Sequence, residues 1–189
     1  MSALEQLYQQ VILDHARERH GRGLRDAGPD GHLGESRQYN PLCGDEVTVR
    51  VDLVDGKAGN DGNGGRGDGD PGDALVRDLS WTGEGCSISQ AATSVLHDLV
   101  TGRPVREATG VVDAFRAMVR SRGAVPPDEG VLGDAAAFSG VGRHANRVKC
   151  AMLGWTAFEA ALQQASVRTE PGPEPVPQRV PEPVPEESR

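Results

Sequence analysis

Three cysteines and one nearby carboxylate carry the most distinctive chemistry in this chain. Cys43 sits in Asn40-Pro41-Leu42-Cys43-Gly44-Asp45, a turn-rich loop ahead of a strand pattern. Cys86 sits in Gly83-Glu84-Gly85-Cys86-Ser87-Ile88-Ser89, between a strand pattern and a helix pattern. Cys150 follows Arg147-Val148-Lys149 near the start of the last helix pattern. Glycines beside the first two let backbone approach a small site closely. A helix N-terminus close to two of the three favours thiolate. The cysteines lie 43 and 64 positions apart, which matches no CxxC signature. A cysteine alone reads as a small buried hydrophobe. Three at junctions between loops and regular elements read as a metal site, and spacing leaves both readings open.

Zinc completes a tetrahedron with four ligands, so three thiolates leave one place. Asp45, two positions after Cys43 in a tight turn, is the natural fourth ligand. Such a set carries more negative charge than a divalent cation cancels, so a cation beside it is favourable. Arg147 and Lys149 flank Cys150 and offer that charge, against the plainer reading of solvated surface residues. The histidines form no rival site by this reading. His15 and His20 end the first helix, His32 lies in a Gly-rich loop and His97 within a helix. A Cys86–His97 nucleophile pair lacks an orienting third group.

The elements that must position these residues follow from periodicity. Ser2 and Glu5 have capping-box spacing ahead of Leu4, Leu7, Tyr8, Val11 and Ile12, which share one helical face. The Gly-rich stretch 21–34 ends that helix. Residues 47–53 alternate apolar and polar, as a strand with one buried face does. A second strand is predicted over 75–81. Between them, 59–73 is almost all Gly, Asp, Asn and Arg, an insertion too polar to offset its backbone entropy. It lacks the downstream Glu of a calcium loop. Helices are predicted around 91–99, 111–119 and 148–162, with 123–142 as a loop containing one short turn near 134–138. From 166 onward, Pro-Glu-Pro and Pro-Val-Pro units mark a disordered, polyproline-like tail. The expected organisation is one domain over 1–165 and a tail over 166–189. Its class is α+β, a small antiparallel sheet of about three strands with helices packed on one face.

Composition narrows the function classes. The chain has 189 residues, 37% hydrophobic and only 4% aromatic, so part of it is expected outside the core. A net charge of −8 argues against nucleic acid as a principal partner. No segment approaches a membrane span and the N-terminus lacks a signal-peptide core, so a cytoplasmic setting is expected. Reducing conditions there turn three cysteines towards metal or thiol chemistry.

The motifs then add a resemblance. Leu7-Tyr8 through Asp14-His15, Tyr39-Asn40-Pro41-Leu42-Cys43-Gly44-Asp45, Gly83 through Ser89, and Arg147-Val148-Lys149-Cys150-Ala151-Met152-Leu153-Gly154-Trp155 closely resemble the SufU proteins. These form the SUF branch of the IscU/NifU N-terminal family, and the resemblance spans residues 1 to about 164. It implies a SufE/NifU-like α+β fold with three cysteines at one end of the sheet. Cys43, Asp45, Cys86 and Cys150 match the family's zinc ligands, and Arg147 matches an arginine near that site. The implied role is iron–sulfur cluster assembly, as a zinc-dependent acceptor of persulfide sulfur from a SufS-type cysteine desulfurase. Cys43 is the implied acceptor, freed when a partner histidine takes its coordination place, and downstream SUF proteins receive the sulfur. Scaffold-type relatives place His directly before the last cysteine, where this chain has Lys149. The alternative is a scaffold that builds a [2Fe–2S] cluster on the same cysteines, with iron in place of zinc. A structural zinc module without thiol chemistry is a third reading.

Overall fold

The structure is a computed structural model and describes residues 3–56 and 74–167. Helix α1 (Ala3–Glu18) precedes a meander of β1 (His32–Asn40), β2 (Asp45–Val54) and β3 (Leu75–Glu84). Then come α2 (Ser87–Val100), α3 (Val105–Arg120), the short α4 (Glu129–Leu132), a 3-10 stretch (Gly133–Arg143) and α5 (Ala145–Ser166). The sheet order is β1-β2-β3 with both pairs antiparallel. This is the expected α+β fold.

Alternation on β2 produces the layer. Val47, Val49, Val51 and Leu53 are buried towards the helices, and Trp81 and Leu79 of β3 pair opposite Val49 and Val51. Helix α5 lies across β1 and β2 on that face. The intervening residues face the other way and are held by ion pairs, Arg50 with Glu35 and Asp26, and Arg77 with Asp52. In the helical layer the indole of Trp155 stacks on Phe115, with ring centroids 3.9 Å apart, and its Nε1 donates to Ala92 O. Gly154 permits the α2–α5 contact, since a Cβ there would stand 2.2 Å from Thr93 Oγ1.

Several local expectations change. Strand β1 runs through residues 32–34, the end of the stretch read as loop. Its face towards α5 is Gly34, Ser36, Gln38 and Asn40, with little apolar signal. A Cβ on Gly34 would stand 1.9 Å from Ala161 O, so the strand is small there because the helix backbone lies on it. The segment 123–142, read as a loop with one short turn near 134–138, holds α4 and a 3-10 stretch that includes that turn and is longer than expected. Ala135, Ala136, Ala137 and Phe138 are buried there. The apolar face of α1 is largely open: Leu4 and Leu7 are more than half exposed, and His15 is its buried residue. Ser2, the Gly/Asp insertion from 59 to 73 and the Pro-rich tail beyond Val167 lie outside the described residues. Helix α5 itself continues to Ser166.

Candidate metal centre

The centre is built where the β1–β2 turn meets α5 and the start of α2. Asn40 and Asp45 pair across the end of the hairpin. Pairing puts both side chains on the α5-facing side, and both are buried. Cys43 occupies the turn between them, with its N–H and that of Gly44 bonded to Asn40 O at 3.3 and 2.9 Å. Cys150, a turn and a half into α5, is buried and brings its Sγ to 3.5 Å from Cys43 Sγ. Cys86 is the N-cap of α2, with the helix N-terminus beside it.

Ligand atoms of Cys43, Asp45 and Cys150 lie within 4.8 Å of one another. Cys86 is outside that triad but adjoins it. Its N–H donates to Asp45 Oδ1 at 3.2 Å, and its Sγ is 3.8 Å from Ser89 Oγ. Asp45 Oδ2 is buried with no hydrogen-bond partner. Burial pushes the Asp45 carboxyl up, but the side chains of Cys86, Ser89 and Cys43 and the Cys86 N–H outweigh it and hold the group below its ordinary range. The Cys150 thiol is pushed well above its ordinary range by burial first, then by Cys43, Cys86 and Asp45 around it. An unmatched buried carboxylate oxygen beside crowded thiols fits a divalent cation, which replaces thiol protons and accepts the free lone pair. Three thiolates and a carboxylate are a zinc-compatible donor set.

Gly85 keeps this junction tight. A Cβ there would stand 2.9 Å from Asp45 Cγ and 2.6 Å from Ser89 Oγ. Arg147 and Lys149 are exposed, and Arg147 lines the groove at the mouth of the site. The nitrogen donor that reaches a sulfur is instead Asn40 Nδ2, 3.9 Å from Cys150 Sγ. Sequence reasoning passed over Asn40 because a polar residue before proline reads as a turn former. The groove continues from the cysteines past Leu4, Tyr8, Ile12, Leu42, Ile88 and Val125, an apolar run bordered by polar residues including Gln9, Arg143 and His144.

The histidines do assemble, contrary to expectation. His15, His20 and Asp98 bring ligand atoms within 4.8 Å. Each ring nitrogen already has a partner, however. Buried His15 meets Ser94 Oγ at 3.0 Å and Asp134 Oδ2 at 3.2 Å, while His20 meets Asp98 at 2.6 Å and Glu18 at 2.9 Å. The cluster ties the end of α1 to α2. His97 Nδ1 is 2.7 Å from Leu79 O. It sits three turns along α2 from Cys86, about 16 Å away by helix rise, which rules out a nucleophile pair.

Known proteins bear on this geometry. The family profile described as the NifU-like N terminal domain matches residues 70–151. The chain is 30% identical over 166 residues to a Streptococcus pyogenes serotype M1 protein named iron-sulfur cluster assembly scaffold protein IscU, covering 88% of this chain and 89% of that one. It is 32% identical over 157 residues to the Bacillus subtilis (strain 168) protein named zinc-dependent sulfurtransferase SufU, covering 82% and 89%. Among solved structures, the N-terminal part of a NifU-like protein from Brucella abortus matches with a TM-score of 0.65 at 25% identity, covering 88% of this chain and 99% of that one. A structure described as a putative SUF-system scaffold from Fervidobacterium islandicum AW-1 matches at 0.58 and 27%, covering 83% and 97%. With sequence and fold matched along nearly the whole length of these relatives, the chain belongs to the family of NifU-like N-terminal domains that includes IscU and SufU.

Proposed function

We propose that this chain serves iron–sulfur cluster assembly as a zinc-dependent acceptor of persulfide sulfur from a SufS-type cysteine desulfurase in the cytoplasm. The observation that carries the reading is the unequal exposure of two adjacent sulfurs: Cys43 is exposed while Cys150, 3.5 Å away, is buried. An acceptor thiol must be reached by another protein, whereas a holding ligand need not be. Cys43, Asp45, Cys86 and Cys150 would hold zinc, which when bound keeps thiols deprotonated without redox change of its own. Arg147, on the groove wall, supplies positive charge beside an anionic ligand set.

The transfer itself is thiol exchange. The Cys43 thiolate attacks the terminal sulfur of the desulfurase persulfide, forming a new S–S bond as the old one breaks. The desulfurase cysteine leaves as a thiolate. Persulfidated Cys43 then donates to downstream SUF proteins. Exposed Leu4 and Leu42 give the groove mouth an apolar surface suited to a protein partner. Among the described residues no helix is long and apolar enough to cross a membrane.

Desulfurase turnover with and without added protein, before and after chelation, tests the reading. Stimulation that is lost on chelation and in Cys43→Ala is expected; undiminished stimulation by Cys43→Ala removes that residue from the acceptor role. Two relatives named as scaffolds favour a second reading, assembly of a [2Fe–2S] cluster on the same cysteines. Metal analysis separates the two. A colourless protein with zinc near one per chain supports transfer, and iron with a coloured cluster supports the scaffold. Desulfurase turnover indifferent to the protein would leave a structural zinc module.

A further inference from the structure

Asn40 stands between the two adjacent sulfurs and treats them in opposite ways. Its side chain is buried, 6% exposed. Oδ1 accepts the Leu42 N–H at 3.1 Å, which fixes the amide so that Nδ2 donates to Cys150 Sγ at 3.9 Å. Only the carbonyl end can take the Leu42 proton and only the NH2 end can serve a thiolate, so both contacts demand one orientation. Cys43 meets the other end of the same residue. Its Sγ lies 4.0 Å from Asn40 O, an acceptor already shared by the N–H groups of Cys43 and Gly44. As a thiolate, Cys43 would face a carbonyl oxygen and receive nothing from it.

A donor to sulfur draws off electron density and anchors it, while a facing lone pair does neither. We propose that Asn40 is a positioning residue that divides the labour between the sulfurs, making Cys150 the fixed ligand and leaving Cys43 the reactive one. The inference rests on the reading of Cys43 as acceptor and supplies the cause of its selection over its neighbour.

The full chain, 15N-labelled and loaded with 113Cd(II), gives a test in the unaltered protein. A scalar coupling between cadmium and an Asn40 side-chain amide proton, carried through the Cys150 sulfur, is expected. A cadmium resonance in the thiolate range without that coupling overturns the inference alone. No thiolate-bound cadmium at all overturns the metal reading and this inference with it.

Regiochemistry gives the second test. Treated with glutathione persulfide, which needs no desulfurase, the wild-type chain should carry sulfane sulfur on Cys43 by peptide mapping. Asn40→Asp keeps an acceptor for Leu42 N–H and, ionised, has no donor for Cys150, while Asn40→Ser keeps that acceptor with a hydroxyl one bond short of the place Nδ2 holds. Their Cys150-to-Cys43 labelling ratio should rise about tenfold, the scale of one hydrogen bond to a charged group. An unchanged ratio in a folded variant overturns the inference, and should neither variant fold, the cadmium coupling decides.

Discussion

One added methyl group at Gly85 tests how tightly the centre is built. Its Cβ would stand 2.6 Å from Ser89 Oγ and 2.9 Å from Asp45 Cγ. Ordinary contact needs about 3.5 Å or more, so Asp45 must yield by over half an ångström or Gly85 must retreat. Retreat is restrained, because Gly85 O accepts from Gln90 Nε2 at 2.8 Å and the next residue's N–H is bonded to Asp45 Oδ1. The carboxylate is therefore expected to move, with Ser89 turning from its bond to Cys86 O. Overpacking of this kind costs about 1–3 kcal/mol, or a Tm fall of about 2–4 °C per kcal/mol at this chain length. Misorienting one donor should weaken binding of the proposed zinc by about 10–100-fold, the usual scale for disturbing what supports a metal ligand. Competition against a chromophoric chelator reads the second quantity and thermal unfolding of the metal-free chain the first. Gly85→Ala binding zinc as tightly as wild type would refute the placement of Asp45 in the centre.

The other predictions concern the frame around the site. Gly110→Ala is the matching control: Gly110 is exposed within α3 and its Cβ would meet nothing within 4 Å, so stability should rise by about 0.5–1 kcal/mol with zinc affinity unchanged. Trp155→Ala removes the Phe115 stack and the bond to Ala92 O and should cost about 3–5 kcal/mol by urea unfolding. A loss near zero there would contradict the core described. The hydrogen bond to Asp98 raises the His20 pKa, with burial partly opposing it. Its stabilisation is complete below the unfolded value near 6.5 and fades as pH rises through the higher folded value. Asp98→Asn should thus destabilise by up to about 1 kcal/mol at pH 6 and less at pH 9, both side chains being partly exposed. A pH-independent difference would refute the pairing.

What could be read from the residues divides along physical lines. Strand β2 and helices α2 and α5 announce themselves because each buries a regular apolar face, such as Val47, Val49 and Val51. Strand β1 does not, because α5 presses its backbone onto Gly34 and leaves room only for small or polar side chains. Helix α1 misleads in the opposite sense. Leu4 and Leu7 have the spacing of a buried stripe, yet both are exposed, and Leu4 borders an open groove. Periodicity reports that a face is apolar and cannot say what covers it. The chemistry-bearing types at the centre were also readable, since Cys43 and Asp45 share one turn. Asn40 was not, because its role lies in a hydrogen bond from its side-chain amide to a residue 110 positions away.

Convergence of the site follows from two packing facts. In a two-stranded turn, register alone puts Asn40 opposite Asp45 with both side chains on one face, so the turn delivers Cys43 beside them. That face is the one α5 covers, and the close approach at Gly34 sets how deeply the helix lies across the hairpin. Cys150, early in α5, meets the turn end of the hairpin, where β3 also hands the chain to Cys86 at the start of α2. A bulkier residue at position 34 would lift α5 and separate the sulfurs without touching any of them. Gly34→Val is therefore expected to weaken metal binding, read by the same chelator competition, and unchanged affinity in a folded variant would contradict this packing argument.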